Sequence, residues 1–378
     1  MTQFTTRTTS PFRYDIVGSF LRPQELKDAR AKFSQGKISK ADLTEVEDHC
    51  IVDLIHKEEK AGLKAVTDGE FRRSYWHLDF FWGLQGVRHV NLKHGYFFHD
   101  EETRNDSAQV IGKISGENHP FVNYFKFVRD HISHGTQVKQ TIPAPAQFLE
   151  ELIRPENQES VKEIYPNLAD LDHDVAKAYH QVIEDLYAAG CRTLQLDDCT
   201  WGISVNNFTN LKKKDPNADT SQLKELQKRF LHVNNEAIEE LPDDLTINTH
   251  ICRGNYHSTW AAAGGYGPVA DTLFAQENVN AFYLEYDSER AGGFEPLAKV
   301  PDNKYVVLGL VTSKTGKLED PEIIINRINE AAKFHPIDHL CLSPQCGFAS
   351  TEEGNILTEE QQWAKINLVK EIARQVWG

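Results

Sequence analysis

The sequence has few of the features that mark membrane, nucleic-acid-binding or disulfide-rich proteins. No apolar run approaches the ~18 residues that a membrane span needs, and the polar start MTQFTTRTTSPFR does not resemble a signal peptide. Bases are scarce: 41 Lys and Arg against 56 Asp and Glu leave a net charge of −15, which argues against nucleic-acid or anionic-membrane partners. The 6 cysteines in 378 residues show no disulfide-dense spacing. We therefore expect a cytoplasmic globular protein with free thiols that acts on small molecules.

Apolar runs that alternate with helical segments predict the α/β fold class. Strands are predicted over residues 14–19, 63–67, 136–142, 192–198, 245–252, 281–287, 305–311 and 340–343. Helices are predicted over residues 23–33, 40–61, 147–153, 168–189, 220–240, 269–276, 321–334 and 359–377, with a helix or loop over 289–299. Since nearly every strand precedes a helical segment, we predict a (β/α)8 TIM barrel with residues 1–378 as a single domain. A doubly wound sheet is the alternative, but no glycine-rich phosphate fingerprint follows the first strand.

Residues 71–135 interrupt this pattern, because they are too long for a simple connection between a strand and a helix. The segment begins with the aromatic residues Trp76, Phe80, Phe81 and Trp82, and its later polar, alternating part (residues 95–115) predicts a hairpin. We interpret it as an insertion that forms a lid. Its aromatic residues either cover a flat substrate or belong to the core.

Polar side chains concentrate at the C-terminal ends of the predicted strands. They are Ser19, Asp68, Glu70, Asp197, Asp198, His250, Cys252, Glu285 and Cys346. In a barrel these positions share one rim, which is where active sites lie. His250 and Cys252 are two residues apart, so in a strand they project to the same face.

Four of these side chains are of the types that bind zinc: His250, Cys252, Glu285 and Cys346. Together they would form a tetrahedral shell of two sulfurs, one nitrogen and one oxygen. Two thiolates and one carboxylate make such a site electron-rich, so it suits keeping a substrate thiol ionised better than activating water for hydrolysis. The alternative is four unrelated residues, with both cysteines packed as small apolar side chains.

The acids at the ends of the second and fourth strands suit a substrate ammonium group or acid–base chemistry. For Glu70, an ion pair with Arg72 or Arg73 is the alternative, and for Asp198 it is capping of the following helix. Ser19 either binds a substrate carboxylate or belongs to a plain turn.

Several stretches together resemble the cobalamin-independent methionine synthase family, specifically its catalytic C-terminal barrel and short stand-alone relatives. They are IVGSFLRP, VTDGEFRR, LQLDD, THIC, YLEYD and SPQCGF, in this order over residues 16–348. The resemblance implies zinc-dependent methyl transfer from 5-methyltetrahydrofolate, as a polyglutamate, to homocysteine, which gives methionine. It also implies zinc ligands and substrate-binding residues: His250, Cys252, Glu285 and Cys346 for zinc, and Ser19, Glu70 and Asp197 for the homocysteine carboxylate and amino groups.

The sequence departs from that family where the methyl donor would react. Family members have a histidine after the seventh strand that assists protonation of the leaving folate, whereas GLVTSKTGKLE places Lys314 near this position. We predict Lys314 as a catalytic proton donor or an anion-binding group. Two other functions stay open: alkylation of another thiol, as in epoxide:coenzyme M transfer, and a methyl-transfer module that needs a corrinoid- or folate-carrying partner protein. The two acids favour an amino-acid thiol over coenzyme M.

Overall fold

The computed structural model describes residues 4–378. Its helices are α1 Gln24–Ser34, α2 Lys40–Ala61, α3 Leu78–Gly83, α4 Pro120–Arg129, α5 Pro145–Leu152, α6 Gln158–Ile164, α7 Leu168–Ala188, α8 Thr200–Lys214, α9 Ser221–Ala237, α10 Gly267–Gln276, α11 Pro321–Ala331 and α12 Glu359–Trp377. Its strands are β1 Ala65–Val66, β2 Gln85–Asn91, β3 Asp106–Ser115, β4 Gln137–Val138, β5 Gln140–Pro143, β6 Thr193–Asp198, β7 Thr246–Ile251, β8 Ala281–Glu285, β9 Tyr305–Val311 and β10 Leu340–Pro344.

Parallel strands form the centre of the fold. A 6-stranded parallel sheet has the order β10-β9-β8-β7-β6-β5. β1 pairs in parallel with β4, which only Lys139 separates from β5. Residues 137–143 therefore pair with β1 on one side and with β6 on the other. From β5 to β10 consecutive strands are neighbours, and β2 and β3 form a separate pair between β1 and β4.

The first predicted strand differs from the structure, because residues 14–19 form an isolated bridge instead of a strand. Tyr14 pairs in parallel with Leu342 of β10, and the Asp15 amide donates to the Leu342 carbonyl at 3.0 Å. On its other side, Thr67 Oγ1 donates to the carbonyl of Gly18 at 2.6 Å. The predicted α/β class is confirmed, while the hydrogen-bonded ladder among residues 4–378 is not continuous around this segment.

A buried polar network ties the same segment to the interior. The Lys139 ammonium lies 2.9 Å from Asp15 Oδ1 and 3.3 Å from Gln195 Oε1, and both ends of the Lys139–Asp15 pair are fully buried. The Tyr283 hydroxyl donates to Asp15 Oδ2 at 2.9 Å. Because a buried charge is costly unless paired and hydrogen-bonded, these contacts fix where residues 14–19 lie.

Burial on both faces explains why the central strands are continuous apolar runs. Every residue of β6 and of β8 is buried, as in parallel sheets covered by helices. α7 buries Leu171, Val175, Tyr179 and Val182, which recur at helical spacing along one face. None of the helices within residues 4–378 has the length and apolar content needed to span a membrane.

α8 is a helix that the sequence pattern did not predict. Its sequence TWGISVNNFTNLKKK is rich in β-branched residues and asparagine, which have low helix propensity. Two tertiary features favour it: Asp198 Oδ1 accepts the Thr200 amide at 2.9 Å, and Trp201 is fully buried. Over residues 289–299 the helix-or-loop expectation resolves into two short 3₁₀ segments, Glu289–Ala291 and Glu295–Lys299.

The long segment after β1 contains α3, an antiparallel hairpin of β2 and β3, and α4. The predicted hairpin is confirmed, but its first strand begins earlier than expected, and residues 92–105 form the connection instead. Of the aromatic residues, Phe80 and Phe81 are fully buried in the core, whereas Trp76 is half-buried. The interpretation of this segment as a lid stays a prediction.

The turn after β1 sets the direction of Glu70. Gly69 and Glu70 have φ values of 63° and 62°, and Asp68 Oδ1 accepts the Glu70 amide at 2.8 Å. A Cβ at Gly69 would lie 2.3 Å from Leu54 Cδ2 and 2.8 Å from the Phe71 ring. Glycine is therefore required here for both its backbone conformation and its size.

Replacing Gly69 should destabilise the fold more than replacing a glycine of the same conformation in open space. We expect Gly69→Ala to lower the free energy of unfolding by about 2–4 kcal/mol, because a left-handed backbone cost of ~1 kcal/mol adds to a clash in a packed core. Gly36 is the matched control: its φ is +68° and no atom lies within 4 Å of an added Cβ. Gly36→Ala should cost only about 1 kcal/mol. Equal losses in urea denaturation would contradict this explanation.

Candidate metal centre and cavity

The structure brings the four predicted metal ligands together at the carboxyl ends of neighbouring strands. One ligand atom from each of His250, Cys252, Glu285 and Cys346 lies within 4.8 Å of all the others. The Sγ atoms of Cys252 and Cys346 are 3.7 Å apart. All four side chains are buried, between 1 and 7% exposed. A cluster of this composition and closeness fits a single metal ion.

Strand register explains why these residues meet. Ile251 of β7 pairs with Leu284 of β8, so Cys252 and Glu285 are the next residues along each strand. Glu285 Oε1 accepts the Arg253 amide at 3.1 Å, which orients the carboxylate. His250 Nδ1 lies 3.3 Å from the Tyr283 carbonyl. Since a carbonyl only accepts, Nδ1 carries the proton, and the lone pair of Nε2 is free for a metal, as in many metal sites.

Several atoms of the cluster lack a partner of their own. His250 Nε2 and Glu285 Oε2 are buried, and neither makes a hydrogen bond to any residue within 4–378. The neighbouring Cys199 thiol and burial raise the pKa of Cys252 well above its usual value. The contact with Cys252 and burial do the same to the pKa of Cys346. A divalent metal ion would supply a partner for the two acceptors. It would also supply the positive charge that the two thiols need in order to ionise.

The predicted substrate-binding residues Ser19, Glu70 and Asp197 line the same cavity of about 390 Å³ as His250, Cys252 and Cys346. Asp197 of β6 is in register with His250 of β7, so the acid and the candidate metal ligand lie on adjacent strands. Ser19 Oγ accepts the Ala349 amide at 3.3 Å. The metal cluster and the acids therefore open onto one space.

Glu70 and Asp197 form a concentration of buried negative charge. Burial raises the pKa of Glu70, although the Arg73 and Arg22 guanidiniums oppose the shift. Burial and the nearby Glu70 carboxylate raise the pKa of Asp197 well above its usual range. Glu70 Oε2 is buried without a hydrogen-bond partner among the described residues. An ammonium group entering the cavity would relieve this excess charge.

For Glu70 and Asp198, the ion pair and the helix cap that the sequence suggested as alternatives are both present. Arg73 Nη1 lies 3.3 Å from Glu70 Oε1, whereas Arg72 pairs with Glu47 and Asp48. Asp198 points away from the cavity and caps α8: its carboxylate accepts the amide and hydroxyl of Thr200 and the Asn234 side chain. Asp198 is therefore a structural acid, in contrast to its neighbour Asp197.

Lys314 does not line the cavity. Its ammonium donates to Asn255 Oδ1 at 3.1 Å, the side chain is only 6% exposed, and Asn255 rather than Lys314 faces the space. Its predicted role as a proton donor or anion-binding group stays a prediction.

The sequence prediction missed most of the outer wall of the cavity. Besides Trp76, this wall contains residues 94–98 of the hairpin connection, Tyr256, and polar residues of α5 including Gln147, Glu150 and Glu151. The α5 residues have a readable signal: they recur at i, i+3 and i+4 in PAPAQFLEE, just beyond a strand end. The hairpin connection belongs to the segment interpreted as a lid, but the sequence pattern did not single out residues 94–98.

Fold and site together define an α/β barrel-type protein with a candidate metal centre of two thiols, an imidazole and a carboxylate at the carboxyl ends of its strands. The model of the family described as cobalamin-independent synthase, catalytic domain, matches residues 12–364, and the chain belongs to this family. The resemblance noted from the sequence motifs is confirmed. The family indicates a methyltransferase.

Relatives support this assignment along most of the chain. It is 44% identical over 369 residues to the Bacillus subtilis (strain 168) uncharacterized protein YxjH, covering 97% of this chain and 95% of the relative. It is 25% identical over 343 residues to a methionine synthase of Saccharolobus solfataricus, covering 88% and 86%.

Two solved structures have the same fold. A putative vitamin-B12 independent methionine synthase from Listeria monocytogenes matches with a TM-score of 0.76 and 37% identity, covering 97% of this chain and 98% of that one. A B12-independent methionine synthase from Shewanella sp. W3-18-1, in complex with selenomethionine, matches with a TM-score of 0.71 and 20% identity, covering 96% and 97%. At this identity the second match supports the fold alone.

The adjacent acids Asp197 and Asp198 should respond oppositely to neutralisation. Burial raises the pKa of both acids, but that of Asp197 more strongly because the Glu70 charge adds to the shift, so ionised Asp197 destabilises the fold. We expect Asp197→Asn to raise the free energy of unfolding of the ligand-free protein by about 1 kcal/mol or more at pH 8. This gain should shrink as the pH falls toward the unfolded-state pKa of about 4, where wild-type Asp197 is protonated.

Asp198→Asn should instead destabilise by about 1–3 kcal/mol, because an amide cannot accept all the donors that now meet this carboxylate. Thermal or urea unfolding across pH 5–8 measures both variants. Destabilisation by Asp197→Asn of the same size as by Asp198→Asn would refute the distinction between a ligand-binding and a structural acid.

Proposed function

We propose that the protein is a zinc-dependent S-methyltransferase that makes methionine from homocysteine. The observation that carries this proposal is that a buried cluster of two thiols, an imidazole and a carboxylate adjoins a cavity that also holds two buried acids, whose charge Arg73 offsets only in part. A thiol and an ammonium group on one small molecule match these two features. Homocysteine has both.

His250, Cys252, Glu285 and Cys346 would hold the zinc ion. When bound, zinc would draw the substrate sulfur to the site and lower the pKa of its thiol, so that the thiolate persists at neutral pH. The two protein thiols must remain reduced for this, and the cysteines are free, which agrees with the expected cytoplasmic location.

The remaining residues hold the amino acid in place. Glu70 and Asp197 would accept hydrogen bonds from the ammonium group, which compensates their charge, while Ser19 would donate its hydroxyl proton to the carboxylate. Methyl transfer is an in-line displacement, in which the sulfur lone pair attacks the methyl carbon opposite to the leaving group. Fixing the sulfur relative to the donor therefore contributes more than proton transfer does.

The relatives favour this function over the alternatives. One sequence relative is a methionine synthase, and a structure at 37% identity is a putative vitamin-B12 independent methionine synthase. A sulfonate thiol such as coenzyme M has no ammonium group and would leave Glu70 Oε2 without a partner. For the methyl donor, the family resemblance implies 5-methyltetrahydrofolate, its polyglutamate or a related compound. A module that depends on a partner protein would fail to make methionine from small donors.

Metal content tests the ligand set. We expect about one zinc per chain in the wild type and loss of most of it in Cys346→Ser, because removing one thiolate weakens a four-ligand site strongly. Cys199→Ser is the matched control, since Cys199 lines the same cavity but is not part of the ligand cluster; it should keep its zinc. Adding homocysteine to the zinc-loaded wild type should release protons. Unchanged zinc in Cys346→Ser would refute the site.

Ligand selectivity tests the acid pair. Glu70→Gln should weaken homocysteine binding by about 10- to 100-fold, the loss expected for one charged hydrogen bond. It should leave binding of 4-mercaptobutanoate, which lacks the amino group, almost unchanged. Calorimetric titration of both ligands into wild type and variant measures this difference. A similar loss for both thiols would show that Glu70 has no specific role in binding the ammonium group.

A further inference from the structure

The part of the cavity wall that does not come from the strand ends has a distinct composition. We call it the outer chamber and define it by the lining residues Trp76, His77, Phe97, Phe98, Glu150 and Tyr256. They come from the segment after β1, from α5 and from the loop after β7. If homocysteine occupies the inner part, as proposed above, the second substrate must enter here.

Aromatic rings dominate this chamber and are incompletely covered by protein. Trp76, Phe98 and Tyr256 are half-buried, and Phe97 is 65% exposed. The rings of Phe98 and Tyr256 are tilted against each other with centroids 5.4 Å apart. Nearby, Arg154 lies over the Tyr96 ring and Arg104 lies over the Tyr75 ring. Within residues 4–378 no cation lies over the rings of the outer chamber. Aromatic rings that line one cavity and carry no protein cation are the kind of surface that binds an organic cation.

The charges of the wall have the sign that such a cation requires. Glu150 faces the cavity, and burial together with the charges of Asp198 and Glu151 raises its pKa to about 7, with no cation to oppose the shift. The two arginines that line the cavity both contact protein groups, although Arg154 Nη1 makes no hydrogen bond within residues 4–378. Arg154 lies 3.5 Å from Glu151, and Arg253 donates to the Tyr266 hydroxyl at 2.7 Å and to the Glu285 carbonyl at 3.0 Å.

His77 adds a buried acceptor to the chamber. Tyr96 donates its hydroxyl proton to Glu151 Oε2 at 2.7 Å, so the His77 Nε2 that lies 3.0 Å from the same hydroxyl must be the donor. The Nδ1 atom is therefore an unprotonated acceptor, and it is buried with no partner among the described residues. Burial lowers the pKa of His77 to about 3, so the ring is neutral. The lone pair of this acceptor attracts a cation, and the neutral ring adds no positive charge that would repel it.

We propose that the methyl donor of this protein is a small methyl-onium cation, a methylsulfonium or quaternary methylammonium compound, bound by the aromatic rings and the Glu150 carboxylate of the outer chamber. This deepens the function proposed above and rests on it.

The transfer balances in charge and atoms. The homocysteine thiol loses its proton to solvent, and the thiolate sulfur forms the new bond to the methyl carbon. The bond from this carbon to the onium sulfur or nitrogen breaks, and its electron pair stays on the donor. An anion and a cation thus become two neutral groups, which a site screened from bulk water favours. The neutral thioether or amine needs no proton, which agrees with Lys314 lying against Asn255 outside the cavity.

A polyglutamylated folate fits the chamber less well. Each glutamate adds an anionic carboxylate, whereas the two arginines of the wall already contact protein groups and the chain carries a net charge of −15. The whole cavity measures about 390 Å³, near the lower end of the ~300–1,000 Å³ of ligand sites, and must hold both substrates.

Donor competition tests the proposal directly. Zinc-loaded full-length protein with homocysteine is given S-methylmethionine, glycine betaine, or 5-methyltetrahydrofolate as mono- or triglutamate, and methionine formation is measured, with isotope-labelled methyl groups to separate the methionine products. We expect an onium donor to react at least tenfold faster than either folate. Equal or faster reaction with folate would overturn the onium assignment and leave the proposed function intact. Methionine from none of these donors would count against both.

A binding measurement separates the chamber from the metal site. Trp76 fluorescence, identified by its loss in Trp76→Phe, reports on choline and on its uncharged carbon isostere 3,3-dimethylbutanol, in wild type and in Cys346→Ser. We expect choline to bind at least tenfold tighter than the isostere in both proteins. Equal affinities would overturn the cation site even if zinc and homocysteine bind as proposed. Failure of zinc or homocysteine binding alone would overturn only the proposed function.

Variants identify the residues responsible. Glu150→Gln and Trp76→Leu should each raise the KM for the onium donor by about tenfold, whereas the Kd of homocysteine should stay unchanged. Trp76→Phe, which keeps a ring, should restore most of the affinity. Glu159→Gln, an exposed acid at the start of α6, is the matched control and should leave KM unchanged. A KM insensitive to both Glu150→Gln and Trp76→Leu would contradict the assignment.

Discussion

Buried negative charge is the constraint on which the site depends. The thiols of Cys252 and Cys346 are in contact, Glu285 lies beside them, and the buried acids Glu70 and Asp197 share their cavity. An unpaired ion in a protein interior costs several kcal/mol, so these groups ionise together only where cations compensate them. Parallel strands create this situation, because their carboxyl ends converge at one rim. A metal ion and a substrate ammonium group are the compensating charges that the two groups of residues fit.

The same constraint separates structural from functional polar groups. Asp198 is satisfied by Thr200 and Asn234, and Asp15 is satisfied by Lys139 and Tyr283. By contrast, His250 Nε2, Glu285 Oε2 and Glu70 Oε2 are buried without partners among residues 4–378. Groups that the protein satisfies internally stabilise the fold, whereas those it leaves open depend on a ligand. Leaving these groups without partners lowers the stability of the ligand-free protein, as is common at functional sites.

The segment after β1, together with α5, lines the outer chamber of the cavity. The inner part of the cavity is acidic and rich in ligand atoms, whereas the outer chamber combines ring faces with Glu150 and a neutral His77. The hydrogen bonds from His77 to Tyr96 and from Tyr96 to Glu151 join the segment to α5. In the proposed reaction, a thiolate and a methyl-onium cation would meet in this space and become two uncharged groups. Exclusion of water favours this loss of charge.

The sequence by itself determined the α/β class, nearly all central strands and the residues of the candidate metal cluster. Each central strand is buried on both faces and therefore reads as a continuous apolar run, so a polar residue at its end stands out. Helix α8 and the start of the hairpin were not readable, because a cap from Asp198 and the burial of Trp201 outweigh low helix propensity.

Only the tertiary structure decided which polar residues face the cavity. Asp197 and Asp198 are neighbours in sequence, yet one meets Glu70 and the other meets the start of α8. Lys314 and Glu150 both lie beyond strand ends, but only Glu150 lines the cavity. The physical reason is that sequence spacing fixes the direction of a side chain within its own strand or helix, whereas its partners come from other parts of the chain and are set by packing.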